Sequence, residues 1–193
     1  MKTRRSLFAL SLSLSLAAAC AAQPPAQPAQ SAQSAQPAQS AQPARPKPAR
    51  GAAEATVKQQ KITISYGKPA LKGRDLLAQA PVGMVWRVGM NEATEITSTG
   101  DLLVGGKELK AGKYTLWVRK NGADAWTLAF HPKTGVWGAP SPKDGFVAEA
   151  PLKLEKAADS AEELMIDLAD KSGDAEIKIH WGTALLTGTF GVK

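Results

Sequence analysis

The sequence predicts an all-β fold, an antiparallel β-sandwich with Greek-key-like connections. Three observations predict it. Apolar residues after position 55 recur with period two rather than 3.6. Turn-forming residues punctuate the chain about every ten positions. The run Leu109-Lys110-Ala111-Gly112-Lys113-Tyr114 has the form of a tyrosine corner, in which a tyrosine opening a strand bonds back to upstream backbone. Tyr114 is therefore assigned a structural role.

The elements follow in chain order. Val57, Ile62 and Ile64 lead into Tyr66, with Gly67 and Pro69 as punctuation. Lys72 to Ala80 is the one helix candidate, and Pro81 ends it. Val85 to Val88 reads as a strand, with Trp86 and Val88 on one face and Val85 and Arg87 on the other; Gly89 then permits a bulge or turn. Ile96 sits between Thr94 and Thr97. Leu102-Leu103-Val104, Gly105-Gly106 and Lys107-Glu108-Leu109 form a tight hairpin, because Gly-Gly supplies the positive φ of two-residue loops. Tyr114, Leu116 and Val118 alternate with Thr115, Trp117 and Arg119, which predicts that one of these two faces is less buried. Asn121-Gly122 is a turn, and Trp126, Leu128 and Phe130 alternate after it. Separate strands are then expected around Leu152–Leu154, Leu164–Leu168, Ile177–Trp181 and Leu185–Phe190.

What precedes this domain has a different character. Residues 1–20 read as an export signal: Lys2, Arg4 and Arg5, then the short apolar run Leu7 to Leu16, then Ala17-Ala18-Ala19-Cys20. That run is too short to span a membrane. Cys20, the sole cysteine, stands where a lipobox places its acylated residue, although Ala17 occupies the position usually held by Leu. Ordinary Ala-x-Ala cleavage near Ala19 or Ala22 is the alternative. The paired arginines suit general secretion, and also resemble a twin-arginine signal. Residues 21–50 are an Ala, Gln, Pro and Ser repeat that lacks the apolar surface to offset the entropy of ordering, so a disordered tether is expected. At about 3.1 Å per residue its reach is at most about 90 Å. Residues 51–193 then form a single domain.

The charge excludes one class of partner. The chain carries 24 basic and 17 acidic residues, a net +7. Six of the basic residues and none of the acidic ones lie in residues 1–50, which leaves 18 against 17, or +1, for the domain. Nucleic-acid binding needs a dense basic face and is not expected. No phosphate loop, nucleotide fingerprint, zinc motif or nucleophile elbow is present, so no cofactor is expected. His131 and His180 are read as independent strand histidines, so no metal site is assigned, and a lone cysteine forms no internal disulfide.

The stretch Val85-Trp86-Arg87-Val88-Gly89-Met90-Asn91-Glu92-Ala93-Thr94 gathers an aromatic, a guanidinium, an amide and a carboxylate beside glycine. One reading is an ion-pair network, with Arg87 bonded to Glu92 or Asp75. The other is a polar pocket floored by Trp86, with Arg87 offered to an anion. This stretch, with Tyr66-Gly67-Lys68-Pro69-x-x-Lys72-Gly73-Arg74, Ala111-Gly112-Lys113-Tyr114-Thr115-Leu116, Trp126-Thr127 and Trp137-Gly138, resembles the bacterial family of unknown function numbered 2911. The resemblance covers nearly all of residues 55–182, and Trp-Arg-x-Gly-x-Asn-Glu-Ala-Thr is a specific motif. It implies an exported bacterial protein and carries no activity. The shared polar residues fall on Lys72, Arg74, Arg87, Asn91 and Glu92, which implies a pocket there. Where the family pattern has Asn near position 131, this chain has His131.

The sequence thus leads to an exported cell-envelope module, periplasmic or at the cell surface, tethered to the membrane through a lipid on Cys20. It is expected to bind a small molecule, a glycan or an envelope protein. The expected binding residues are Lys72, Arg74, Trp86, Arg87, Asn91 and Glu92, with Trp137 as a further aromatic. Two alternatives differ in class: a hydrolase with Glu92 as base beside His131 or a metal, and a carbohydrate-binding module using Trp137 and Trp117 as platforms.

Overall fold

The computed structural model describes residues 50–77 and 79–193. The expected export signal, Cys20 and the tether up to residue 49 lie outside them. The described chain is all-β: β1 (Arg50–Val57), β2 (Gln60–Gly67), β3 (Val85–Trp86), β4 (Thr94–Ser98), β5 (Leu102–Val104), β6 (Lys107–Leu109), β7 (Gly112–Lys120), β8 (Ala125–His131), β9 (Ala148–Lys171) and β10 (Asp174–Val192). Every pairing is antiparallel, in the order β1-β2-β4-β7-β8-β9-β10-β5-β6 with β3 beside β7. The β5–β6 hairpin lies between β4 and β7 in sequence, yet pairs with the end of β10. That crossover is the Greek-key-like feature. β1 packs against β9 without hydrogen-bonding to it, so the sheet folds back across its own core.

The local expectations hold where turn chemistry decides. Gly105 and Gly106 have φ of 55° and 80° and close the β5–β6 hairpin. Tyr114 Oη donates to Lys110 O at 3.0 Å, completing the tyrosine corner. Three expectations need correction. The helix candidate at Lys72–Ala80 is a series of turns, and no helix occurs among the described residues. Lys72 and Gly73 both take positive φ, 51° and 73°, which turns the chain before a helix can nucleate. The four strands expected after Leu152 are two long ones, β9 and β10, whose ladder shifts register between His180 and Ala184 instead of turning.

The third correction concerns Trp117. Both faces of β7 are covered: Leu116 and Val118 join the main core, while Trp117 is 2% exposed and packs with Ala93 and Ala129 in a second, smaller core closed by Val85, Val136 and Phe146. Its indole N–H donates to Thr115 Oγ1 at 3.0 Å. Trp117 is therefore a core residue and no ligand platform.

Candidate functional site

Trp86 pairs with Val118 and Thr94 with Leu116, so β3 and β4 occupy one lane along β7. Residues 87–93 leave that lane as an excursion opposite the single residue Trp117. The excursion carries Arg87, Val88, Met90, Asn91 and Glu92, and it packs tightly on the end of β2. A methyl at Gly67 would fall 2.2 Å from Met90 O, so only glycine admits this approach. Val88 holds φ of 54° and Asn91 of 63°. Asparagine tolerates the left-handed region; a β-branched valine there is strained. Thr94 Oγ1 donates to Val88 O at 2.7 Å and fixes the strained turn.

Beside this excursion lies a cleft of about 480 Å³. Its floor is a pair of stacked indoles, Trp86 on Trp181, with centroids 5.6 Å apart and planes 7° from parallel. Met84, Met90, Leu76 and Leu77 extend the apolar lining, and Arg74 and Arg87 supply positive charge at its edge. Arg74 Nε donates to Leu71 O at 3.1 Å. Arg87 donates to Gly89 O and Asn91 O at 3.4 and 3.5 Å, both long contacts. Carbonyl oxygens orient a guanidinium without neutralising it. The wall formed by residues 80–84 is clamped to β7 by Lys120: its Nζ donates to Ala80 O at 2.9 Å, its N–H to Met84 O at 3.0 Å, and its carbonyl accepts from Gly83 N at 2.7 Å.

The expected site residues divide between several places. Arg74, Trp86 and Arg87 meet in the cleft. Lys72 is elsewhere, its backbone N–H bonded to Glu162 Oε1 at 3.0 Å. Asn91 serves as a turn residue whose carbonyl accepts from Gly138 N at 3.0 Å. Glu92 pairs with Arg50, 3.3 Å away, rather than with Arg87, which was one of the two pairings expected for that guanidinium. Arg50, expected in the tether, opens β1 instead. It also donates to Ser65 Oγ, Ser65 O and Ala93 O, which ties the excursion to β2. Trp137 bridges Glu92 through the backbone and lines a second cleft. His131 lies in that second cleft, its Nδ1 accepting from Lys133 N at 3.1 Å. Among the described residues no group of three or more His, Cys, Asp or Glu is placed to hold a metal. Sequence reasoning missed Trp181, Met84 and Met90. No local pattern connects Trp86 with a residue on β10.

The family described as protein of unknown function (DUF2911) matches residues 48–189. The chain belongs to DUF2911. The DUF2911 match takes in the excursion, both indoles of the cleft floor and both arginines, so the site lies inside the family domain. No curated protein and no solved structure matches the chain.

Proposed function

We propose that this DUF2911 protein is an exported, membrane-tethered binding domain whose cleft takes a small amphipathic anion: a flat apolar body with one acidic group. The stacked Trp86–Trp181 floor flanked by Arg74 and Arg87 carries this reading. Indoles and thioethers accept a flat apolar body by area and dispersion. A guanidinium whose hydrogen-bond partners among the described residues are carbonyls offers its positive charge to a carboxylate or sulfonate, which it binds with paired donors. The strained turn at Val88 and the clamp at Lys120 hold these groups in place before a ligand arrives, which lowers the entropy cost of binding. The leader, Cys20 and the Pro-rich stretch support export and tethering. Glu92 is committed to Arg50 and does not line this cleft, so it is not placed to act as a base there.

The test uses two probes with the same aromatic body, 1-anilinonaphthalene-8-sulfonate and uncharged N-phenyl-1-naphthylamine. Fluorescence titration is expected to show saturable binding of the sulfonate at one site. Arg87→Ala should weaken it about tenfold to a hundredfold, the scale of a lost charge-assisted bond. The neutral probe should bind Arg87→Ala and the unaltered protein alike. Unsaturable binding, or equal sulfonate affinity in Arg87→Ala, would count against the proposal. Arg74→Ala, at an exposed position, serves as a second charge variant less coupled to packing.

A further inference from the structure

The second cleft, about 440 Å³, lies on the loop between β8 and β9 and is lined by Trp137, Lys133, Lys143, Thr115 and Ser141 among others. Trp137 is 59% exposed, the one exposed aromatic among the described residues. Such a side chain in a mobile loop would mean little. Here the backbone beneath it is pinned on both sides: Ala93 N donates to Val136 O at 3.1 Å, Gly138 N to Asn91 O at 3.0 Å, and Gly135 N to Glu95 Oε1 at 2.8 Å. Arg87 packs under the same loop, since a methyl at Gly138 would lie 2.1 Å from its Cδ. A pinned indole facing solvent is a preorganised stacking surface.

The polar groups around it divide into used and unused. Thr115 Oγ1 donates toward Lys133 O at 3.1 Å, and Ser141 Oγ donates to Val85 O at 2.8 Å, so both hydroxyl protons serve the fold. Lys133 and Lys143 belong to none of the ion pairs among the described residues, and both line the cleft. One carboxylate, Asp144, accompanies them. An ammonium is a compact point charge without the planar fork that selects one bidentate anion. Two of them, entering from the two ends of a loop with an exposed indole between, suit charge repeated along a chain of rings.

We propose that this cleft binds an acidic saccharide, with the apolar face of one sugar ring stacked on Trp137 and its carboxylates against Lys133 and Lys143. The site is separate from the Trp86–Trp181 cleft, and the proposal stands whether or not that cleft binds an amphipathic anion. Isothermal titration of the full chain with tetragalacturonate is the test, with neutral maltotetraose as the comparison. Tetragalacturonate is expected to bind with an affinity that falls as salt rises, and maltotetraose more weakly. Trp137→Ala should weaken tetragalacturonate binding about tenfold, the upper range for an aromatic stacking contact. Lys133→Ala/Lys143→Ala should reduce its salt dependence and leave maltotetraose binding unchanged. Binding unaltered in Trp137→Ala, binding lost in Arg74→Ala, equal binding of both saccharides, or no binding of either would each overturn the proposal. If Trp137→Ala does not fold, the lysine double variant, altered only at side chains outside the ion pairs, decides the matter.

Discussion

Val88 is the residue on which the excursion depends. Its φ of 54° puts a β-branched side chain where L-residues lose roughly 1–2 kcal/mol. The strain persists because the surroundings fix it: the side chain is wholly buried in the main core, and its carbonyl accepts the Thr94 hydroxyl. Strain of this kind, placed between Arg87 and Met90, keeps both ends of the cleft lining in one conformation. It also inverts a familiar order of substitutions. In extended backbone, glycine is less stable than alanine by about 0.5–1 kcal/mol. At Val88 alanine loses buried methyl groups and keeps the strain, whereas glycine loses slightly more apolar surface and removes the strain. Val88→Gly is therefore expected to be at least as stable as Val88→Ala, by up to about 1 kcal/mol, in urea denaturation. Val88→Gly clearly below Val88→Ala would mean that the turn carries no strain.

β1 and β9 close the sheet on itself, and the closure passes through Tyr66. Its hydroxyl accepts the backbone N–H of Ile166 at 3.1 Å in the interior, joining β2 to β9 outside the strand ladder. Gly51 on β1 lies flat over the same ring, where a methyl would meet Tyr66 Cζ at 2.5 Å. Tyr66→Phe keeps the ring and leaves a buried N–H without its partner, a loss of about 1–3 kcal/mol. Thermal unfolding should show the loss, and hydrogen exchange at the Ile166 amide should quicken in step. An unchanged exchange rate would mean that this bond does not hold β2 to β9. Such long-range closure could not be read from the sequence, though the turns at Gly105-Gly106 and Asn121-Gly122 and the corner at Tyr114 could, because each is set by a few adjacent residues. The helix expected over Lys72–Ala80 had suitable residues in its middle, but the positive φ at Lys72 and Gly73 overrode them. The cleft was half legible. Arg74, Trp86 and Arg87 stood out as residue types beside glycine. Trp181 reads only as one more apolar residue on a strand, and Glu92 was misread because its partner, Arg50, looked like part of the tether.

Charge is unevenly distributed along this chain. With Arg50 counted in β1, residues 50–193 carry 19 basic and 17 acidic residues, a net +2, while residues 1–49 hold five cations and no carboxylate. Between Cys20 and β1 the sequence has only two cations, Arg45 and Lys47, and so few bind an anionic surface weakly at physiological salt. Firm attachment needs acyl chains. Each buried CH₂ contributes about 0.8 kcal/mol, so a single chain holds marginally and two or more hold firmly. On the proposed attachment, tethering turns on one atom, the Cys20 thiol, and not on the domain. Expressed from its full sequence in a bacterium, the protein is expected to enter the detergent phase on Triton X-114 partition and to incorporate labelled palmitate. Cys20→Ser should move it to the aqueous phase without label, while ligand binding in the Trp86–Trp181 cleft stays unchanged. Recovery of the unaltered protein in the aqueous phase, unlabelled and cut after Ala19 or Ala22, would make it a freely soluble exported domain instead.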